Sequence, residues 1–396
     1  MTTLGEKAVA LAQGLIRCAS VTPRDDGALD VLIQPLQKAR FTCDRLTFTE
    51  DGTPPVDNLV ARMGGGPPHL CFAGHTDVVP PGDETLWSHP PFAAEVESGV
   101  LYGRGASDMK GAIACFAAAA LDYINSKTRG IDGTISLLIT GDEEGPAING
   151  TKKVLEWMEQ AGLKPDHCIV GEPSNPQTLG EVIKIGRRGS LSGRLKVVGQ
   201  QGHVAYPHLV ANPVKGIVDV VAKLYDTPLD FGSAHFSPSN LEVTSIDVNN
   251  PATNVIPASA EAKFNIRFND HHGADSLKKM LQERVTSVLA NSELAFTLEF
   301  EPPGDVFVTE PGELDALLSE AVREITGRTP SLSTDGGTSD ARFIKDYCPV
   351  VEFGLTTETI HKTDENVRTA DLERLTAIYR HFVARYFETF GGSNGR

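Results

Sequence analysis

Short runs that are apolar throughout, HLCFAG at residues 69–74 and TISLLIT at 134–140, alternate in the first half of the chain with longer patterns of helical period such as MKGAIACFAAAALDYIN at 109–125. This alternation constrains the fold more than any other feature. Strands separated by helices pair in parallel and bury themselves under those helices. It predicts an α/β layer with a mainly parallel sheet. The opening segment MTTLGEKAVALAQGLIRCAS places Leu4, Ala8, Leu11 and Leu15 at helical spacing, with no basic leader and no long apolar run. It reads as the first helix of the fold.

After about residue 188 the rhythm changes. GRLKVVG reads as a strand, PVKGIVDVVAKLY as a helix, NLEVTSIDV and AEAKFNIRF as strands, DSLKKMLQERV as a helix and ELAFTLEF as a strand. The order βαββαβ is that of a ferredoxin-like unit. The Pro- and Gly-rich EPPGDVFVTEPG then reads as a hinge returning the chain to the first domain. A helix at ELDALLSEAVREITG, a strand at PVVEFG and a last helix from about Asp371 to Phe387 restore the earlier rhythm. The expected organisation is a discontinuous larger domain, 1–188 and 303–396, with a smaller domain inserted at 189–302. Two domains suit 396 residues, because single cores rarely grow past about 250 to 300.

A net charge of -16 at pH 7 repels phosphate backbones and anionic lipid, which argues against nucleic-acid and membrane partners. The six cysteines are scattered without a CxxC pair and several sit in apolar stretches, as buried free thiols of a reducing, cytoplasmic compartment would.

GHTDVVPPGD follows an apolar strand, so His75 and Asp77 share one side of it, one as a ligand and the other as its support. The companions are Asp108 in GRGASDMKG, Glu143 and Glu144 in GDEEG, Glu172 in GEPS, and His361 in TIHKTDE. Each lies at or just past the C-terminal end of an expected strand, the edge where open α/β sheets place their sites. Taken singly, each acid is most simply a cap, a turn or a solvated charge; convergence makes the case. Two imidazoles and three carboxylates suit zinc, cobalt or manganese. Five ligands serve two ions only if one bridges. Asp108 is the natural bridge, with His75 and Glu172 on one ion and His361 and Glu144 on the other. Adjacent Glu143 and Glu144 point different ways on extended chain, which leaves Glu143 as the general base toward a water acidified from pKa 15.7 to about 7. Asp77 is expected to hold the His75 ring through its other nitrogen.

These strings, GHTDVVPPGD, LYGRGASDMKGA, TGDEEG and VGEPS with the late His361, resemble the co-catalytic zinc aminoacylase and carboxypeptidase family, to which acetylornithine deacetylase belongs, and the match spans nearly the whole chain. The resemblance implies two zinc ions per subunit in the ligand arrangement above, Glu143 as base, a non-proline cis peptide after Asp108, and a homodimer built through 189–302. The finer strings GRRGSL, GQQGHVAYPH, ATNVIP, FNIRF and STDGGTSDARFI look most like the members acting on N-succinyl amino acids. The same likeness places His203 at the neighbouring subunit's site as an oxyanion donor. It also offers Arg187 and Arg267 to substrate carboxylates, with Asn254, Thr334, Tyr206 and Ser190 as further substrate contacts. Arg188 divides between substrate and its own domain's acids. His208 reads as structural, and Asp335 is assigned nothing.

The nearest rivals keep the mechanism and change the substrate: acetylornithine deacetylation, general aminoacylase action or dipeptide cleavage. A catalytically dead relative that binds amino acids or metal is opposed by the presence of base and ligands together. A serine or cysteine hydrolase is opposed by the lack of a GxSxG elbow and of an activating setting for any cysteine.

Overall fold

The computed structural model describes residues 2–128 and 130–391. It divides into two compact units, one of the described residues up to Ile185, Thr309–Ser333 and those from Ser339 onward, the other of Gly186–Val308 and Thr334–Thr338.

The first unit is built on an eight-stranded sheet in the order Thr42–Phe48, Val56–Gly64, Thr134–Thr140, His69–His75, His167–Val170, Val350–Glu352, Val182–Lys184, Ser331–Ser333. His69–His75 pairs in parallel with both Thr134–Thr140 and His167–Val170, and Val350–Glu352 pairs in parallel with His167–Val170. The central strands His69–His75 and Thr134–Thr140 are buried at every position, which is why they are apolar without alternation. Antiparallel pairs occur toward the edges, Thr42–Phe48 with Val56–Gly64 and Val56–Gly64 with Thr134–Thr140. Thr42–Phe48 is partly exposed and carries polar residues, so its sequence offers no clear strand signal.

The helix Gly111–Ser126 is apolar almost all round because it packs between the helices Leu4–Ile16 and Thr369–Gly391 and is buried from Gly111 to Ala120. Phe116 stacks on Phe72 of the sheet at 4.3 Å between ring centroids, and Tyr379 meets both rings edge-on. The first helix opens with a capping box, Thr3 accepting from the Glu6 N–H and Glu6 from the Thr3 N–H. All six cysteines are free, four of them buried. Among the described residues no helix is long and apolar enough to cross a membrane.

In the second unit the four strands Asn240–Asp247, Ser259–Phe268, Gly189–Val198 and Ala295–Phe300 form an antiparallel sheet in that order. Helices Pro213–Asp226 and Ala274–Leu289 pack together on the sheet, and alternate strand residues such as Leu191, Leu195, Phe264 and Ile266 join Ile217, Val220, Leu277 and Leu281 in one core. Chain order and strand order together are ferredoxin-like. The two crossings between units are adjacent in the chain path: Phe307–Val308 pairs with Gly186–Arg187, and the Thr309 N–H donates to the Ile185 carbonyl at 2.7 Å.

Candidate metal centre

His75 ends its buried strand, Glu172 follows the end of His167–Val170, Glu143 and Glu144 follow Thr134–Thr140, and Asp108 lies in the tight segment that opens the helix Gly111–Ser126. Parallel pairing puts the first three of these strand ends on one edge of the sheet. Two glycines make the convergence sterically possible. A Cβ on Gly74 would lie 2.6 Å from Met109 Cε, and one on Gly171 would lie 2.7 Å from the same atom. Met109 therefore seats its side chain against the residues that precede His75 and Glu172, which holds its neighbour Asp108 at the centre. The Asp108–Met109 peptide bond is cis.

His75 Nε2 lies 3.3 Å from Asp108 Oδ1, 3.5 Å from Glu172 Oε1 and 3.9 Å from Glu143 Oε2. On the other side of Asp108, His361 Nε2 lies 3.3 Å from Oδ2 and 2.8 Å from Glu144 Oε1. The structure thus brings together every residue that the sequence nominated as ligand or base. The two carboxylate oxygens of Asp108 face one histidine each.

Asp77 departs from expectation. The His75 Nδ1 donates to the backbone carbonyl of Asp77 at 2.9 Å, and the Asp77 carboxylate is farther, at 3.7 Å. That bond occupies Nδ1 and turns Nε2 toward the acids. The carboxylate instead accepts the N–H groups of Glu143 at 3.3 Å and Glu144 at 3.0 Å, fixing the loop that carries base and ligand.

Electrostatically the cluster requires positive charge. Burial opposes protonation of His75, but the nearby carboxylates of Asp108 and Glu172 outweigh it and hold the ring well above the usual imidazole range. Asp108, then Glu144, raise His361 to about 10. Burial and the charge of Asp108 push Glu172 up to about 7, and burial with Glu172 pushes Glu143 well above the carboxylate range. Burial pushes Asp77 up to about 6.

The donor set fits a pair of divalent ions. His75 Nε2 and Asp108 Oδ1 are buried with no hydrogen-bond partner among the described residues, a costly state for atoms that a cation would satisfy. Ligand atoms at about 2.1 Å from a tetrahedral zinc stand about 3.4 Å apart, and the His75–Asp108, His75–Glu172 and His361–Asp108 separations are 3.3, 3.5 and 3.3 Å. His75, Asp108 and Glu144 form one group of converging ligand atoms and His75, Glu143 and Glu172 another, while His361, 2.8 Å from Glu144, stands outside both.

The remaining candidates belong to the second unit. Arg187 is buried, and a Cβ on Gly336 would lie 2.7 Å from its Nη1. Arg188 donates to Asn240 Oδ1 at 3.1 Å while its buried Nε has no partner among the described residues. Burial, then the charge of Arg188, lower the pKa of Arg267. Ser190 Oγ accepts from Asn265, and the Thr334 hydroxyl donates to the His235 carbonyl at 2.5 Å. His203, Asn254 and Tyr206 are exposed. Met109 and Glu365 escaped sequence reasoning: an apolar residue beside an acid and an acid in a charged loop carry no distinguishing signal.

A mixed α/β sheet with two histidines and converging carboxylates at its C-terminal edge fits the class of dinuclear metallohydrolases. Residues 71–385 match the model of peptidase family M20/M25/M40, and the chain belongs to that family. It is a metal-dependent amide hydrolase. A Rhodopseudomonas palustris protein named succinyl-diaminopimelate desuccinylase is 58% identical over 380 residues, covering 96% of this chain and 98% of that protein. A Methylorubrum populi protein of the same name is 54% identical over 382 residues, covering 96% of this chain and 98% of that one. An M20 family metallo-carboxypeptidase of Sulfolobus solfataricus superposes with a TM-score of 0.73 at 17% identity, over 96% of this chain and 99% of that chain. A dinuclear metal-binding M20 peptidase of Bacillus subtilis does so with a TM-score of 0.70 at 15% identity, over 98% and 99%. At such identities the likeness is one of fold.

Proposed function

We propose that the chain hydrolyses the amide of N-succinyl-LL-2,6-diaminopimelate, releasing succinate, in the route to diaminopimelate and lysine. The observation that carries the substrate is the 58% identity, over nearly the full length of both chains, to a protein of that name. His75 and Glu172 would hold one zinc ion and His361 and Glu144 the second, with Asp108 shared between them. When bound, the ions polarise the scissile carbonyl and lower the pKa of water to about 7. Glu143, held by the Asp77 carboxylate through its backbone N–H, takes the proton of the attacking water and returns it to the leaving amine. In the metal-free cluster, burial and the neighbouring charge of Glu172 raise its affinity for a proton.

His203 supplies a hydrogen bond to the developing oxyanion in a homodimer. Its Nδ1 accepts the Ala205 N–H at 3.1 Å, so the neutral ring carries its proton on Nε2, which is then the donor. The dimer reading is supported by exposed apolar side chains of the second unit, Val218 and Tyr225 on Pro213–Asp226 and Ile246 on the edge strand Asn240–Asp247. The Tyr225 hydroxyl accepts the Val243 N–H at 2.9 Å, which makes the helix and strand parts one patch. Arg187 and Arg267, with Arg188 beside the latter, take substrate carboxylates. The charge of Arg188 beside the half-buried Arg267 favours an anion between them. Ser190, Asn254, Thr334 and Tyr206 complete the substrate contacts.

The test is an assay of metal-depleted protein on N-succinyl-diaminopimelate and N-acetylornithine in parallel, with zinc restored from zero to two equivalents. Zinc-dependent cleavage of the succinyl compound is expected. Cleavage of acetylornithine alone overturns the substrate and keeps the metal chemistry, and inactivity on both with zinc bound overturns this substrate in favour of another acyl group or a binding role.

A further inference from the structure

We propose that Glu365 is a positioning residue for the metal centre: with Arg104 it locks the loops carrying Asp108 and His361 into a single arrangement. The inference rests on the metal reading of the site. Glu365 is fully buried, and both of its carboxylate oxygens are used. Oε1 accepts the N–H groups of Ser107 at 3.0 Å and of Asp108 itself at 3.1 Å. Oε2 accepts the Gly105 N–H at 3.1 Å and the Arg104 Nη1 at 2.8 Å. The carboxylate therefore grips the backbone of the segment that presents the proposed bridging ligand.

Arg104, 2% exposed, extends the grip to the other side. Its Nη1 also donates to the Lys362 carbonyl at 3.2 Å, and its Nη2 lies 3.5 Å from the carbonyls of His361 and Pro80. One ion pair thus touches the loops that follow His75, precede Asp108 and carry His361. The backbone repeats the connection: the Gly103 N–H donates to the Glu365 carbonyl at 2.8 Å, and Asn366–Arg368 pairs antiparallel with Val100–Tyr102.

A clamp is needed here for a physical reason. His361 and Asp364 lie in the left-handed region, at φ 58° and 56°, which L-residues keep only where the surroundings hold them. Ligands 253 residues apart in sequence, Asp108 and His361, share no local element that sets their spacing. A buried, fully hydrogen-bonded carboxylate does so, with Arg104 as its ion-pair partner.

The experiment compares wild-type protein with the Glu365→Gln variant, both metal-depleted, by calorimetric zinc titration, circular dichroism and thermal melting, with kinetics at saturating zinc. Glutamine keeps the shape but turns an NH2 toward backbone donors on one side. Zinc affinity is expected to fall about 10- to 100-fold in a folded protein, with KM unchanged at saturating zinc. Should Glu365→Gln fail to fold, Glu365→Asp, which keeps the charge and shortens the reach, is read the same way and is expected to show the same weakening. A folded variant that binds zinc with wild-type affinity overturns the proposal, even if its melting temperature falls. Wild-type protein that binds no zinc overturns instead the metal reading on which the proposal rests.

Discussion

Asp77 Oδ2 accepts the backbone N–H of Glu144 at 3.0 Å, across 67 positions of sequence. One residue therefore orients His75 with its carbonyl and the Glu143–Glu144 loop with its carboxylate. Replacing Asp77 by Ala leaves the His75 contact to the backbone intact and removes the anchor of the loop. Zinc affinity and kcat/KM are both expected to fall about 10- to 100-fold, checked by zinc titration of the metal-depleted variant alongside steady-state kinetics. Unchanged values for both would show that the loop holds itself.

Glu143 reaches toward His75 without being one of the five proposed ligands. Glu143→Gln is expected to fold, to keep two bound zinc ions by elemental analysis, and to lose about 10²- to 10⁴-fold in kcat, the range of general base contributions. Near-normal turnover would remove Glu143 from the chemistry.

Metal uptake is expected to release protons. The metal-free cluster holds His361 up to about 10 and His75 well above the imidazole range, so at pH 7 both rings are protonated and must give up their protons to a cation. Affinity for zinc then rises with pH. Calorimetry in buffers of different ionisation enthalpy measures the number released, expected to exceed one at pH 7. For the metal-free protein the sign is opposite. A raised folded-state pKa stabilises fully below the unfolded value near 6.5, and His361 loses that contribution as pH climbs toward about 10. Melting temperatures of metal-depleted protein across this window give the check.

Gly74 has room for nothing larger. An added Cβ would lie 2.6 Å from Met109 Cε and 3.1 Å from Ile113 Cγ1. Gly74→Ala is expected to cost about 1 to 3 kcal/mol by overpacking and to weaken zinc binding through Asp108. Combining it with Met109→Ala should restore part of the stability but not the binding, because the seat of Asp108 is lost either way. Additive losses in a double-mutant cycle would show that the two residues act independently.

Much of the fold was legible because its signals are local. TISLLIT and HLCFAG are strands buried on both faces, and the period-two pattern of Ser259–Phe268 appears directly in its burial. Thr42–Phe48 was not legible, since a half-exposed edge strand carries mixed residues on both faces. Nor was the return of Thr334–Thr338 to the second unit, a short glycine-bearing turn whose partners are set by packing alone.

The sequence by itself determined the chemistry available: imidazoles and carboxylates at the ends of apolar strands, in an order that only an α/β sheet brings to one edge. Tertiary structure decided which atom does what. That the Asp77 carboxylate meets the Glu143–Glu144 backbone and that Glu365 holds Asp108 are facts of backbone amides from distant segments arriving within 3.3 Å of an oxygen. An amide N–H is the same at nearly every position of a chain, so its choice of acceptor is invisible until the chain has folded.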